Sequence, residues 1–313
     1  MPEGPEVRKY ADALSAVLKN RRLEQLTART VKAKAWLKDN GPRLSGLRVT
    51  RVFARGKHLV GLIENNFYFH SHLMMWGRWQ TFVPTPPAEM DRRERARIVV
   101  NGGAAILYSA PIFNVGEGDP FKQIEHLGNL GPDVLPYDNQ FDQEEFQRRL
   151  LSRKNRDATI GAALLNQEIV AGLGNYLRAE ILFACRIDPW KPAKELDERE
   201  LDCLLRTAPQ LSRRSYLAGA TARRPDRERM KNDASLVYQV GREYGTRHMV
   251  FRRTNLPCLR CGEPIRQQRQ ITHSYGDEER DRIVYFCPRC QKVDLLAKTL
   301  LNHKDTEARN KTK

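Results

Sequence analysis

No run in this 313-residue chain approaches the roughly eighteen consecutive apolar residues that a membrane-spanning helix needs. The first residues lack the apolar core of a secretory signal and carry charge almost at once, which argues against secretion. No internal repeat is visible, so a repeat architecture is not expected. Acidic residues are in short supply: 38 Asp and Glu stand against 54 Lys and Arg, for a net charge of +16 and a pI near 9.8. A field of that sign favours a polyanion, either nucleic acid or an anionic membrane surface. A merely basic, soluble protein is the competing reading, and charge alone does not separate the two. Cysteines number only six. Four form two Cys-x-x-Cys pairs, while Cys185 and Cys203 stand alone in helix-like stretches and read as core residues. This is metal-site usage in a reducing, cytoplasmic compartment, not a disulfide framework.

The rest of the chain divides by pattern. Val7, Tyr10, Ala11, Leu14, Val17 and Leu18 recur at helical spacing behind "MPEGPE". Strand-like runs follow to about residue 115, with turns at Glu64-Asn65-Asn66 and a hairpin signal at Asn101-Gly102-Gly103. From about residue 130 the segments "QEEFQRRLLS", "IGAALLNQ", "NYLRAEILFACRI" and "ERELDCLLRTAPQL" read as helices. Residues 221–235 read as a basic loop without periodicity, and the tail after Lys292 as polar and basic. The expected organisation is a β domain with an N-terminal helix (1–125), a helical domain (126–249), a cysteine hairpin (250–292) and a basic tail (293–313).

Cys258, Cys261, Cys287 and Cys290 suit one structural Zn²⁺: four thiolates fill a tetrahedral site and leave no position open for substrate. "PIRQQRQITH" and "RIVYFCP" would be the hairpin strands, with "SYGDEER" as the turn. Arg266, Arg269, Arg280, Arg282 and Arg289 make this hairpin dense in positive charge. Gly172-Leu173-Gly174-Asn175 precedes a helix. Such a turn either caps the helix through Asn175 or brings backbone amides close to an anion. The third glycine of a dinucleotide fingerprint is absent. At the N-terminus, proline and glutamate suit a first helical turn, so "MPEGPE" is a sound helix start on local grounds.

Taken in order, "MPEGPE", "RGK" at 55–57, "AGLGNYLRAEIL" and the hairpin ending "YFCPRCQK" resemble the formamidopyrimidine-DNA glycosylase/endonuclease VIII family over roughly residues 1–291. The resemblance implies an α+β fold: an N-terminal helix with a two-layered antiparallel β-sandwich, a helical domain with a helix–two-turn–helix motif, and a zinc-finger β-hairpin. It is closer to endonuclease VIII. "AGLGNYLR" matches that branch, "YSAPIFNVGEGDP" lacks the arginine of the purine branch, and Gly161 stands where that branch commonly has lysine. Oxidised pyrimidines are the expected lesions. The alternatives are an oxidised-purine glycosylase and a non-catalytic damaged-DNA-binding zinc protein.

The resemblance further implies a base-excision enzyme that joins glycosylase and AP lyase action. Met1 is removed and the Pro2 amine becomes the nucleophile. An α-amine has a pKa of about 8 against about 10.4 for lysine, so exposing its lone pair at neutral pH costs up to about 3.4 kcal/mol less. Glu3 is the expected general acid/base and Glu6 the residue that orients or stabilises the cationic intermediate. Lys57, Asn175 with Gly174, and Arg282 would grip phosphates, Arg280 being the register alternative to Arg282. Met75, in "HLMMWGRW", would fill the space left by the extruded nucleotide, whereas Trp79 reads as core. The implied partner is double-stranded DNA carrying oxidised bases or abasic sites, bound by a monomer in the cytoplasm, at the nucleoid of a bacterial cell.

Overall fold

The computed structural model describes residues 2–137, 140–238, 243–275 and 278–295, with backbone alone for 273–275 and 278–280. The elements run α1 (Gly4–Leu18), β1 (Leu23–Ala28), α2 (Val31–Asn40), β2 (Val49–Arg55), β3 (His58–Ile63), β4 (Phe67–His72), β5 (Arg78–Phe82), β6 (Glu94–Val100), β7 (Gly103–Tyr108) and β8 (Ile112–Glu117). The helical part follows as α3 (Pro120–Gln123), α4 (Glu125–Gly128), α5 (Gln143–Leu150), α6 (Ile160–Ala163), α7 (Asn175–Cys185), α8 (Glu198–Ala218) and α9 (Arg224–Asn232). The hairpin β9 (Arg266–Tyr275) and β10 (Glu278–Phe286) comes last. The chain forms two compact units. One holds residues 1–149, 166–174 and 215–217, and the other holds the remainder, with the cysteine hairpin sharing a unit with α7 and most of α8.

In the first unit two four-stranded antiparallel sheets, β1-β6-β7-β5 and β2-β3-β4-β8, face each other. Period-two alternation explains the layering. Leu59, Ile63, Phe67, Phe69 and Phe113 of one sheet meet Trp79, Ile98 and Leu107 of the other, with the apolar stripe of α1 closing the same core. The opposite face of the second sheet is also covered: Phe53 and Val60 pack with Leu127, Leu130 and Ala171. Burial on both faces is why β3 reads as an unbroken apolar run. The turns obey their sequence. Asn65 and Asn66 both take positive φ (61° and 62°) in the three-residue turn that joins Ile63 of β3 to its partner Phe67 of β4, a conformation asparagine tolerates. Val100 pairs with Gly103 around Asn101-Gly102.

The second unit is organised on a buried carboxylate. Glu180, in the middle of α7, accepts the amides of Met249 (2.8 Å), Val250 (2.8 Å) and Phe251 (3.0 Å) and the Thr221 hydroxyl (2.8 Å). It thereby ties the helix to the segment that enters the cysteine hairpin.

Three expectations are corrected here. Cys185 and Cys203 are not unpaired core thiols. They form a disulfide between the end of α7 and α8, with Cα atoms 5.7 Å apart, because the two helices bring together positions that spacing along the chain does not relate. Residues 224–232 of the basic stretch are helical, with Pro225 in the first turn and Met230 buried beneath a charged surface. One buried methionine among charges leaves no period to read. The hairpin strands extend further than expected, since Ser274 and Tyr275 pair with Glu279 and Glu278 inside the segment read as a turn. The tail from residue 296 lies outside the described residues.

Glu180→Gln turns an amide donor toward backbone donors. We expect a loss of about 2–3 kcal/mol, seen as a lower urea midpoint at unchanged slope.

Candidate active site

The first turn of α1 is built from its own glutamates. The Glu3 amide donates to Glu6 Oε2 (2.9 Å), one half of a reciprocal capping box that pins both side chains to the helix start. Glu3 is then buried to 1% exposure, and its Oε2 accepts the Gly174 amide at 2.8 Å. The neighbouring Gly4 amide donates to the Gly172 carbonyl at 2.8 Å. The glycine turn therefore grips the start of the chain. Gly172 holds φ +99°, which side chains rarely adopt, and a Cβ at Gly174 would lie 2.4 Å from Glu3 Cδ. From sequence the turn either caps the helix through Asn175 or, as the resemblance implies, offers its amides to a phosphate. The Gly174 amide is instead taken by a carboxylate of the protein itself. Pro2 is half-buried beside Glu3, and Met1 lies outside the described residues.

Lys57 occupies the two-residue turn between β2 and β3, where Arg55 pairs with His58 and Gly56 has φ +57°. A Cβ on Gly56 would sit 3.0 Å from Ala171 Cβ and 3.2 Å from the Gly172 nitrogen, so this turn leans on the same strip that grips Glu3 and Gly4. Asp133 secures it by accepting the Gly56 amide (2.6 Å), and its own segment bridges to Ala171. Burial pushes the Asp133 carboxyl up, opposed by the amides of Gly56 and Leu135 and by Arg55. One strip, Ala171–Gly174, thus touches both Glu3, whose amide Glu6 accepts, and the turn that carries Lys57.

Beyond β4, Leu73 is buried while Met74, Met75 and Trp76 stand 43%, 56% and 80% exposed. Gly77 closes this loop by donating to the Leu73 carbonyl (2.8 Å). Trp79 is core, as expected, and its Nε1 donates to Ser71 Oγ.

In the second unit the Asn175 side chain reaches the hairpin strand β10 and Arg178. Its Nδ2 donates to the Ile283 carbonyl (2.9 Å) and its Oδ1 accepts from Arg178 Nη2 (2.6 Å). Arg178, fully buried, also donates to the Ile283 carbonyl (2.8 Å) and to Gln270 Oε1 (3.2 Å). Asn175 is thereby fixed against the strand that carries exposed Arg282. Arg269 is neutralised by Asp281 (2.9 Å), and the Arg280 side chain lies outside the described residues. Cys258, Cys261, Cys287 and Cys290 converge, all four sulfurs lying within 4.8 Å of one another. They can bind a metal ion.

Two groups escaped sequence reading. Arg178 lies within "NYLRAEIL", where nothing local marks the one cation as buried. His58, His70 and His72 share one face of the second sheet, since 70 and 72 are two apart and His58 is the register partner of His72. That alternation was the available signal.

Gly174→Ala should push the Glu3 carboxylate aside and reduce cleavage of damaged DNA, the activity the resemblance implies, by about 100-fold. The single-turnover rate, beside an unchanged circular dichroism spectrum, checks this.

The Formamidopyrimidine-DNA glycosylase N-terminal domain matches residues 1–111 and the Formamidopyrimidine-DNA glycosylase H2TH domain residues 130–224. Endonuclease 8 of Salmonella schwarzengrund is 32% identical over 292 residues, which cover 93% of this chain and 100% of the relative. Endonuclease 8 of Salmonella typhimurium matches with the same identity and coverage. Among solved structures, the Lactococcus lactis Fpg protein with DNA containing N7-benzyl-Fapy-dG is similar at a TM-score of 0.71 and 21% identity, over 93% of this chain and 100% of that one. The same protein with abasic-site DNA gives the same values. At that identity the structures speak for the fold, and the sequence relatives speak for kinship. The chain belongs to the formamidopyrimidine-DNA glycosylase/endonuclease VIII family, a family of DNA glycosylases with AP lyase activity.

Proposed function

We propose that the protein excises oxidised bases, pyrimidines foremost, from double-stranded DNA and then cleaves the strand, using the Pro2 amine exposed by removal of Met1. The observation that carries this reading is the seating of Glu3. A carboxylate next in sequence to that amine is buried and fixed by an amide from 171 residues away. Structural capping alone needs no such distant partner.

The Pro2 nitrogen attacks C1′, and the glycosidic bond breaks with its electron pair leaving on the base. The nitrogen gives up its proton to solvent, Glu3 protonates the sugar ring oxygen as the C1′–O4′ bond breaks, and the restored nitrogen lone pair forms an iminium. The iminium acidifies C2′, whose proton is lost as the 3′ phosphate departs. A second elimination expels the 5′ phosphate and leaves a one-nucleotide gap. Glu6, which receives the Glu3 amide, keeps a second carboxylate near the developing cation. Lys57, Asn175 and Arg282 bind the phosphates, and Met75 fills the vacated stack. Preference for pyrimidines is supported by the missing arginine after β7. It is also supported by Gly161, where a Cβ would meet Gln270 Oε1 at 2.3 Å and the Pro189 carbonyl at 2.8 Å, so a lysine there has no room.

The four cysteines fit Zn²⁺. Zinc–sulfur bonds of about 2.3 Å in a tetrahedron put sulfurs about 3.8 Å apart. The pairs Cys258–Cys290, Cys261–Cys287 and Cys261–Cys290 stand at 3.9, 3.5 and 3.5 Å. Bound zinc would staple the hairpin that carries Arg282, and no reaction step passes through it.

Borohydride should trap a covalent adduct with thymine-glycol DNA, and protein retaining Met1 should bind DNA without being trapped. Absence of an adduct from processed protein would exclude the enzyme reading. Faster cleavage of 8-oxoguanine opposite cytosine than of thymine glycol would favour the purine alternative. Burial lifts the Cys290 thiol up to about 11, so zinc must displace protons to bind. Zinc should accordingly be lost more readily to chelators as pH falls, with weaker DNA binding, read by metal analysis and fluorescence anisotropy.

A further inference from the structure

The apolar loop after β4 is held by an unusual arrangement. Met74 adopts φ +51°, a left-handed conformation that costs a non-glycine residue roughly 1–2 kcal/mol. Its amide is accepted by Nδ1 of His72 at 3.2 Å. Loop closure comes from Gly77, where a Cβ would lie 2.4 Å from the Leu73 carbonyl oxygen. The His72 ring is itself held. It packs edge-on against His58, with ring centroids 4.9 Å apart. His58 Nδ1 lies 2.9 Å from His70 Nε2, and His70 Nδ1 lies 3.2 Å from Asn114 Nδ2. Taking the Asn114 amide nitrogen as donor assigns the tautomers along the row. His70 accepts at Nδ1 and donates from Nε2 to His58 Nδ1. The row therefore runs Asn114 to His70 to His58 across β8, β4 and β3, with neutral rings. Burial keeps it so: it lowers His70 and His72 to about 4, with Lys57 and His126 adding to the effect on His72, and it holds His58 well below the usual range. A neutral His72 keeps the lone pair that the Met74 amide needs.

We propose that His72 is a positioning residue: through the Met74 amide it holds Met74, Met75 and Trp76 in the conformation that fills the stack once a nucleotide is extruded. This rests on the glycosylase reading above.

His72→Ala, His72→Asn and His72→Gln separate the possibilities. Asparagine offers an acceptor near the Nδ1 position, while glutamine reaches toward Nε2. Removing this hydrogen bond should speed exchange of the Met74 amide hydrogen about tenfold and slow single-turnover excision of paired thymine glycol by about the same factor. Cleavage at a preformed abasic site in single-stranded DNA, which requires no extrusion, should change less than about twofold. His72→Asn should restore both quantities and His72→Gln neither. Unchanged Met74 exchange in His72→Ala overturns the proposal, as does equal slowing on both substrates or failure of His72→Asn to rescue. A wild-type protein inactive on both substrates would instead sink the glycosylase reading itself, so the two failures are told apart.

Discussion

Four residues, Ala171–Gly174, carry the site. They come from the helical half of the sequence yet pack with the β-sandwich unit, where they take the Gly4 amide, give the Gly174 amide to Glu3 and back the Lys57 turn. At two of the four positions only glycine serves. Gly172 needs positive φ, and at Gly174 the space of a methyl group is occupied by the Glu3 carboxylate. A buried carboxylate without partners would cost several kcal/mol. The amide of Gly174 and the capping box offset that cost and hold the group in one rotamer. Peptide planarity makes such a partner stiff, so Glu3 sits in a geometry that a flexible side-chain partner would not impose.

The second sheet makes the rest of the site possible by being covered on both faces. Its inner face builds the sandwich core, and its outer face packs Phe53 and Val60 against Leu127, Leu130 and Ala171. The same outer face carries the row of histidines. Polar rings in such a place must satisfy one another, and they do so through Asn114, His70 and His58. Lys57 and the exposed loop after β4 emerge from the ends of the strands that hold this row.

The second unit solves a similar problem with Arg178 and Glu180, two buried charges two positions apart on α7. Glu180 gathers the chain that enters the cysteine hairpin, and Arg178 welds Asn175 to the strand of Arg282. The disulfide at the far end of α7 adds a covalent tie to α8. One helix therefore has a fixed polar start, a fixed middle and a cross-linked end.

Much of this was legible in the sequence. Period-two runs and the Asn-Asn and Asn-Gly turns disclose the strands, because alternation and positive φ are local properties. The paired Cys-x-x-Cys spacers disclose the sulfur cluster, and "MPEGPE" discloses a helix start that the capping box realises. Other features were beyond its reach. The Cys185–Cys203 pairing, the tie from Gly174 to Glu3 and the aim of His72 at the Met74 amide join positions that no local pattern relates. The α9 helix was missed because its one buried side chain leaves no period. Sequence alone determined which residues could do chemistry, since residue type and local conformation are encoded within a few positions. Tertiary structure decided which partner each of them meets. Burial removes water as the default hydrogen-bond partner, and the choice of substitute is made by residues distant in the chain.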